Sequence, residues 1–119
     1  MPDPASSSRR PGDVLEALEG VIASRKGDSP DRSYTSRLLA GGVSAIGAKV
    51  TEEADELARA AADESDDRVV SEAADLVYHT LVLLAARNVA LGLVGDELAR
   101  RFGTSGLAEK AARATGGTP

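Results

Sequence analysis

Cysteine is missing from this 119-residue chain, so disulfide frameworks, thiolate metal sites and cysteine nucleophiles are excluded. Aromatics are scarce: Tyr34, Tyr78 and Phe102 are the whole set, 3% of the residues, and tryptophan is absent. Strands favour aromatic and β-branched residues, so a β-sandwich is disfavoured. A core of Ala, Leu and Val in closely packed helices is expected instead. The chain holds a single histidine, His79. That argues against zinc and against a di-iron carboxylate site of the Glu-x-x-His type. Long apolar runs are lacking too. The longest, residues 81–86, falls far short of the roughly 20 residues needed to span a bilayer. Residues 1–12 carry charges with no apolar segment behind them, which argues against a secretory signal and predicts a disordered N-terminal arm. Together these absences lead us to expect a cytoplasmic protein with no membrane partner.

What the chain does have is acid, unevenly placed. The net charge is −5, which argues against a nucleic-acid partner. Ten acidic residues lie between Glu52 and Asp75, against only Arg59 and Arg68, so that block alone carries −8. The remainder is weakly basic. At this length one domain is expected, here residues 13–113, with a frayed tail over 114–119.

The periodicity is helical throughout. Asp13, with Glu16 three residues on, is a plausible N-cap for a first helix whose stripe is Val14, Leu15, Leu18, Val21 and Ile22. Ser33 caps a short second helix that Gly41 and Gly42 stop. A third helix is expected over residues 43–63. A fourth, capped by Asp66 or Asp67, runs to about residue 90, with Asn88 and Gly92 marking its end. Its second half is apolar nearly all round and predicts a central, buried helix. A fifth covers about residues 94–102, and residues 103–115 add at most a last turn or two. The expected fold is all-α, a four- to five-helix bundle completed by homodimerisation, because so short a chain has little else with which to cover its fourth helix.

Placement singles out some of the acids. At helical spacing, residues 46, 50, 53 and 57 form one stripe, so Glu53 sits within the apolar face of Ile46, Val50 and Leu57. Glu56 points nearly the same way. On the next helix Glu72 and Asp75, spaced i,i+3, project together among apolar neighbours. Carboxylates turned toward a core cost several kcal/mol unless something positive meets them. Lys49 is the one cation just ahead of Glu52 and Glu53. A hard divalent cation such as Mg²⁺, which takes oxygen ligands, would neutralise the rest. The plainer reading is a solvated acidic helix face.

The motifs Glu52-Glu53-Ala-Asp-Glu56 and Glu72-Ala-Ala-Asp75 resemble the Glu-Glu-x-x-Glu and Glu-x-x-Asp pairs of all-α nucleoside triphosphate pyrophosphohydrolases. Further segments narrow the likeness to phosphoribosyl-ATP pyrophosphatases. These are Ser33-Tyr34-Thr35, then Arg37-Leu38-Leu39, Lys49 ahead of the double glutamate, the run from Glu72 through Tyr78-His79 to Leu84, and the closing stretch from Arg100 to Lys110. The resemblance covers about residues 13–113. Thr51 stands where that family suggests glycine.

The resemblance implies hydrolysis of phosphoribosyl-ATP to phosphoribosyl-AMP and pyrophosphate, the second step of histidine biosynthesis, with Mg²⁺ and a homodimer. It also implies a stand-alone form, since 12 leading residues are too few for the cyclohydrolase sometimes fused in front. Under it, Glu53, Glu56, Glu72 and Asp75 hold the metal. Glu52 is an outer ligand or the base that orients the attacking water. Lys49 contacts phosphate or pairs with Glu53. Arg25, Lys26 and Arg37 suit the substrate's phosphates or are ordinary surface charge. Tyr34 and Thr35 lie where a ring can stack on the base, the alternative being that Ser33 is a cap and Tyr34 a core residue. Tyr78 and His79 pack. Two rival functions fit the acidic pairs alone: a house-cleaning nucleotide pyrophosphohydrolase, and a non-catalytic metal-binding bundle.

Overall fold

The computed structural model describes residues 8–102, 110, 111, 113 and 114. Four helices are described and no strand: α1 Pro11–Ser24, α2 Tyr34–Asp63, α3 Asp66–Ala86 and α4 Leu91–Arg100. The first three belong to one compact unit, residues 1–89, and α4 to a second, residues 90–119.

Helix α1 begins earlier than expected. Asp13 is not its cap. Pro11 occupies the first turn, where its missing N–H costs nothing, and Arg10 before it is extended (φ −63°, ψ 134°). Asp13 instead lies in the first turn, its charge near the positive end of the helix dipole, and accepts from Ser8 Oγ at 2.7 Å. Of the arm expected over residues 1–12, residues 1–7 lie outside the described residues, and Pro11 and Gly12 are already helical. Most of the expected last turns and tail after Phe102 also lie outside them.

Ser33 caps α2 as expected, accepting from Ser36 N at 3.0 Å. The helical run then breaks once, at Gly42 (φ 87°, ψ 173°), a conformation open essentially to glycine alone. The expected second and third helices are therefore the two limbs of α2. Glu64 and Ser65 form the whole connection to α3, so α2 and α3 run antiparallel side by side. Ser65 caps α3 in place of Asp66 or Asp67, accepting from Arg68 N at 3.3 Å, while both aspartates lie in its first turn.

Helix α3 ends at Ala86, some residues short of the expected boundary. Asn88 takes a left-handed conformation (φ 59°), and Asn88 N and Val89 N turn back onto Ala85 O and Leu84 O at 3.0 and 2.9 Å. This paired closure uses up carbonyls that a helix end leaves bare. Lys26 completes it by donating to Ala85 O at 2.8 Å and to Asn88 Oδ1. Lys26 is thus a clasp on α3.

The core of this unit is Ile22 from α1, Ile46 and Ala60 from α2, and Leu81 and Val82 from α3. Helix α3 is not buried all round as expected. Only Glu72, His79, Leu81 and Val82 are fully buried on it, and Val70 and Val77 are exposed. It is also long and apolar enough to cross a membrane by length and composition, yet it packs along α2 and α1 and turns Glu72 and His79 inward. In the second unit, α4 starts three residues before its expected place and bears Glu97, which meets Arg100 at 2.6 Å and Arg101 at 3.0 Å. The two arginines hold the Glu97 carboxyl down to about 2.

Candidate metal centre

The buried residues of the long limb of α2 are Ile46, Glu53 and Ala60, one every seven residues. Two full helical turns separate each from the next, so all three face α3. Glu53 is therefore the acidic member of an otherwise apolar seam. From the other side α3 presents Glu72. Glu53 is 7% exposed and Glu72 3%. Half-buried Glu56 joins them, and carboxylate oxygens of Glu53, Glu56 and Glu72 lie within 4.8 Å of one another.

Two cations approach from the rim. Lys49 Nζ lies 3.9 Å from Glu53 Oε1 and 3.5 Å from Glu52. Burial pulls the Lys49 ammonium down, but the charges of Glu52, Tyr34 and Glu53 outweigh it and hold it above its ordinary value. Arg68 Nη2 lies 2.5 Å from Glu72 Oε1, and its Nε lies 3.1 Å from Glu64. Both pairs to the buried acids are i,i+4 within one helix.

These contacts leave the centre incompletely satisfied. With Glu56 ionised, Glu53 Oε2 and Glu72 Oε2 are buried with no hydrogen-bond donor among the described residues. Desolvating an ion costs several kcal/mol, and three or four carboxylates face two cations that are partly engaged elsewhere. The strain is visible at Glu56. Its carboxyl is held above the usual carboxylate range, first by a hydrogen bond with Glu72, then by the charge of Glu72, burial and Glu52, with Arg68 opposing. A proton is one relief. A hard divalent cation with oxygen ligands is another, and the bare buried oxygens fit it.

Asp75 does not join this group. It is exposed on the turn after Glu72, and its backbone carbonyl accepts from His79 Nδ1 at 2.8 Å. A carbonyl can only accept, so Nδ1 carries the proton. In the neutral ring Nε2 then accepts from the Tyr34 hydroxyl at 3.0 Å. Both ring nitrogens of His79 are thus engaged.

Tyr34 is no core residue: it is 49% exposed. Its ring lies 6.2 Å from that of Tyr78, nearly parallel, and meets His79 edge-on at 5.9 Å. Thr35 Oγ1 hydrogen-bonds the Tyr78 hydroxyl. The Ser-Tyr-Thr and Tyr-His segments are therefore one construction, tying the short limb of α2 to α3. Glu52 is exposed at the rim beside Lys49. Arg25, half-buried, closes α1, and Arg37 is exposed one turn after Tyr34. Neither makes an ion pair among the described residues. Thr51 donates to Gly47 O at 3.2 Å, so the helix accommodates it.

Arg68 is the site residue that sequence reasoning missed. Its signal was present as the ladder Glu64, Arg68, Glu72 at four-residue steps.

Comparison with known proteins bears on the chemistry. The family profile of phosphoribosyl-ATP pyrophosphohydrolase matches residues 15–102. A phosphoribosyl-ATP pyrophosphatase of Trichlorobacter lovleyi is 55% identical over 100 residues, covering 84% of this chain and 93% of that protein. The protein of the same name from Rhodospirillum rubrum is 50% identical over 111 residues, 92% of this chain and 95% of its own length. A third, from Rhodopirellula baltica, is 48% identical over 103 residues, 83% and 85% of the two chains.

Proposed function

The chain belongs to the phosphoribosyl-ATP pyrophosphohydrolase family, and on that premise we propose that its acidic centre is the active site. The protein hydrolyses phosphoribosyl-ATP to phosphoribosyl-AMP and pyrophosphate, the reaction of histidine biosynthesis for which its relatives are named. The single observation that supports placing the reaction here is the pair of buried, donorless oxygens of Glu53 and Glu72, with Glu56 beside them.

In this reading Glu53, Glu56 and Glu72 would hold Mg²⁺, with Asp75, three residues beyond Glu72, as the further ligand. A divalent cation held by these residues would supply positive charge to offset that developing on the phosphate oxygens in the transition state. The remaining roles belong to side chains around it. Glu52, exposed beside the ligands, is the base that orients the attacking water onto the bond between the α and β phosphates. The charged ammonium of Lys49 at the same rim meets phosphate. The half-exposed Tyr34 ring, fixed by His79, offers a face on which the base stacks. Thr35 contributes by holding Tyr78. Arg37, on the same short limb as Tyr34, and Arg25 after α1 are left for the outer phosphates.

A homodimer belongs to the same proposal. Val14 and Val21 on α1, and Val70 and Val77 on α3, are exposed at seven-residue steps and form two apolar stripes that a second copy can cover. The partner in this proposal is a small nucleotide, and the cytoplasm is the compartment that fits a biosynthetic role. Pyrophosphate release by the purified chain from phosphoribosyl-ATP and a panel of dNTPs, with and without Mg²⁺, tests the reading. We expect turnover of phosphoribosyl-ATP that needs Mg²⁺ and is lost in Asp75→Asn with the helical fold retained. Preference for dNTPs favours the house-cleaning alternative, and metal binding without any hydrolysis a non-catalytic bundle.

A further inference from the structure

Each buried carboxylate of the centre is held by a cation one turn earlier on its own helix. Lys49 does this loosely for Glu53 at 3.9 Å, and Arg68 tightly for Glu72 at 2.5 Å. In both cases the contact is made to Oε1, and Oε2 stays buried and donorless. Arg68 is itself fixed from behind, because its Nε meets Glu64 Oε1 at 3.1 Å. Its guanidinium is planar, so engaging Glu64 and Glu72 at once sets the plane and the reach of the side chain. The Glu72 side chain, only 4% exposed, is thereby gripped at Oε1, while Oε2 is buried without a donor and a carboxylate oxygen of Glu72 lies within 4.8 Å of those of Glu53 and Glu56.

We propose that Arg68 is a positioning residue of the metal centre: it holds Glu72 so that Oε2 faces Glu53 and Glu56 before any cation arrives. The proposal rests on the reading of this centre as a divalent-cation site. Arg68 touches no reacting atom. Its side chain is 53% exposed and stands at the rim. Two effects of opposite sign meet at this residue. A positive charge beside the site repels a cation, whereas a preset ligand spares the cation the work of ordering it. Partners that orient metal ligands usually prevail by 10- to 100-fold in affinity.

The sign of the effect is therefore the test. The metal-free full-length chain is titrated calorimetrically with MgCl₂ and with MnCl₂ as wild type, Arg68→Met, Arg68→Lys and Glu64→Gln. We expect Arg68→Met to weaken binding of both ions by about tenfold. Arg68→Lys should recover part of the loss, since an ammonium can meet Glu72 but cannot span both acids. Glu64→Gln, which loosens Arg68 without touching Glu72, should weaken binding in the same direction and by less. Far-UV circular dichroism checks the fold. If Arg68→Met does not fold, the Lys and Gln variants carry the same comparison. Binding that is unchanged or tighter on loss of the guanidinium overturns the proposal, because Arg68 would then only compete with the cation for Glu72. A wild-type chain that takes up neither ion overturns this proposal together with the reading of the centre on which it rests.

Discussion

At the scale of single residues, the centre crowds three carboxylates together and leaves two of their buried oxygens without a donor among the described residues. Glu56 shows this most directly. Its carboxyl lies above its ordinary 4.5 in the folded chain, chiefly through the hydrogen bond and charge of Glu72. A raised acid favours the fold while protonated. Its contribution is present below 4.5 and is lost as pH rises through the raised value. Thermal melts of wild type and Glu56→Gln, in EDTA from pH 4 to 8, should therefore show wild type losing ground to the variant as pH rises. A difference that stays flat across that range would contradict the arrangement. Much of this centre was legible before any coordinates. Glu53 falls on the Ile46 stripe at helical spacing, and an acid there demands an explanation. Arg68 was not singled out, because i,i+4 ladders such as Glu64–Arg68–Glu72 are common on solvated faces and only burial of Glu72 distinguishes this one. Asp75 shares the spacing of Glu72 but remains exposed. Spacing fixes the direction in which a residue leaves its helix, not the rotamer its side chain takes.

At the scale of elements, the break at Gly42 matters most. It redirects the short limb of α2, so that Tyr34 reaches His79 and Thr35 reaches Tyr78, while the long limb keeps Glu53 on the seam. Gly42→Ala forces a Cβ into a conformation that side chains rarely adopt, although there is open space around it. We expect a loss of about 1–3 kcal/mol in urea unfolding. A stability equal to wild type would show that the limbs do not need this bend. Helix existence and type followed from the apolar periodicity, and the paired glycines marked the break. The boundaries were harder to read. Asp13, Asp66 and Asp67 all have the chemistry of caps, but Pro11 and Ser65 start the helices earlier, so the aspartates become first-turn residues. The end of α3 is closed by Asn88 and Val89 and completed by Lys26, a contact across 59 residues of sequence that no local pattern announces.

At the scale of the whole molecule, composition foretold an all-helical chain but not how much of α3 a single copy covers. Apolarity on every side of a helix says that cover is needed, without saying whose residues supply it. The exposed valines on α1 and α3 make a second copy the simplest answer. Light scattering after size-exclusion chromatography should return twice the 12.2 kDa chain mass. The double variant Val70→Glu/Val77→Glu should shift toward a single copy. A wild-type chain that runs at 12.2 kDa at micromolar concentration would contradict the dimer.

Pyrophosphate release from phosphoribosyl-ATP, measured with and without Mg²⁺ for wild type and Glu53→Gln, tests most directly whether the buried acids are the active site. Glu53 is the right probe because it is a buried acid in the otherwise apolar seam of Ile46 and Ala60, where replacing one carboxylate oxygen by an amide nitrogen changes charge and hardly shape. We expect Mg²⁺-dependent release by wild type and a loss of at least about a hundredfold in Glu53→Gln, equivalent to some 2.7 kcal/mol in the barrier. Turnover by Glu53→Gln at the wild-type rate would place the chemistry elsewhere.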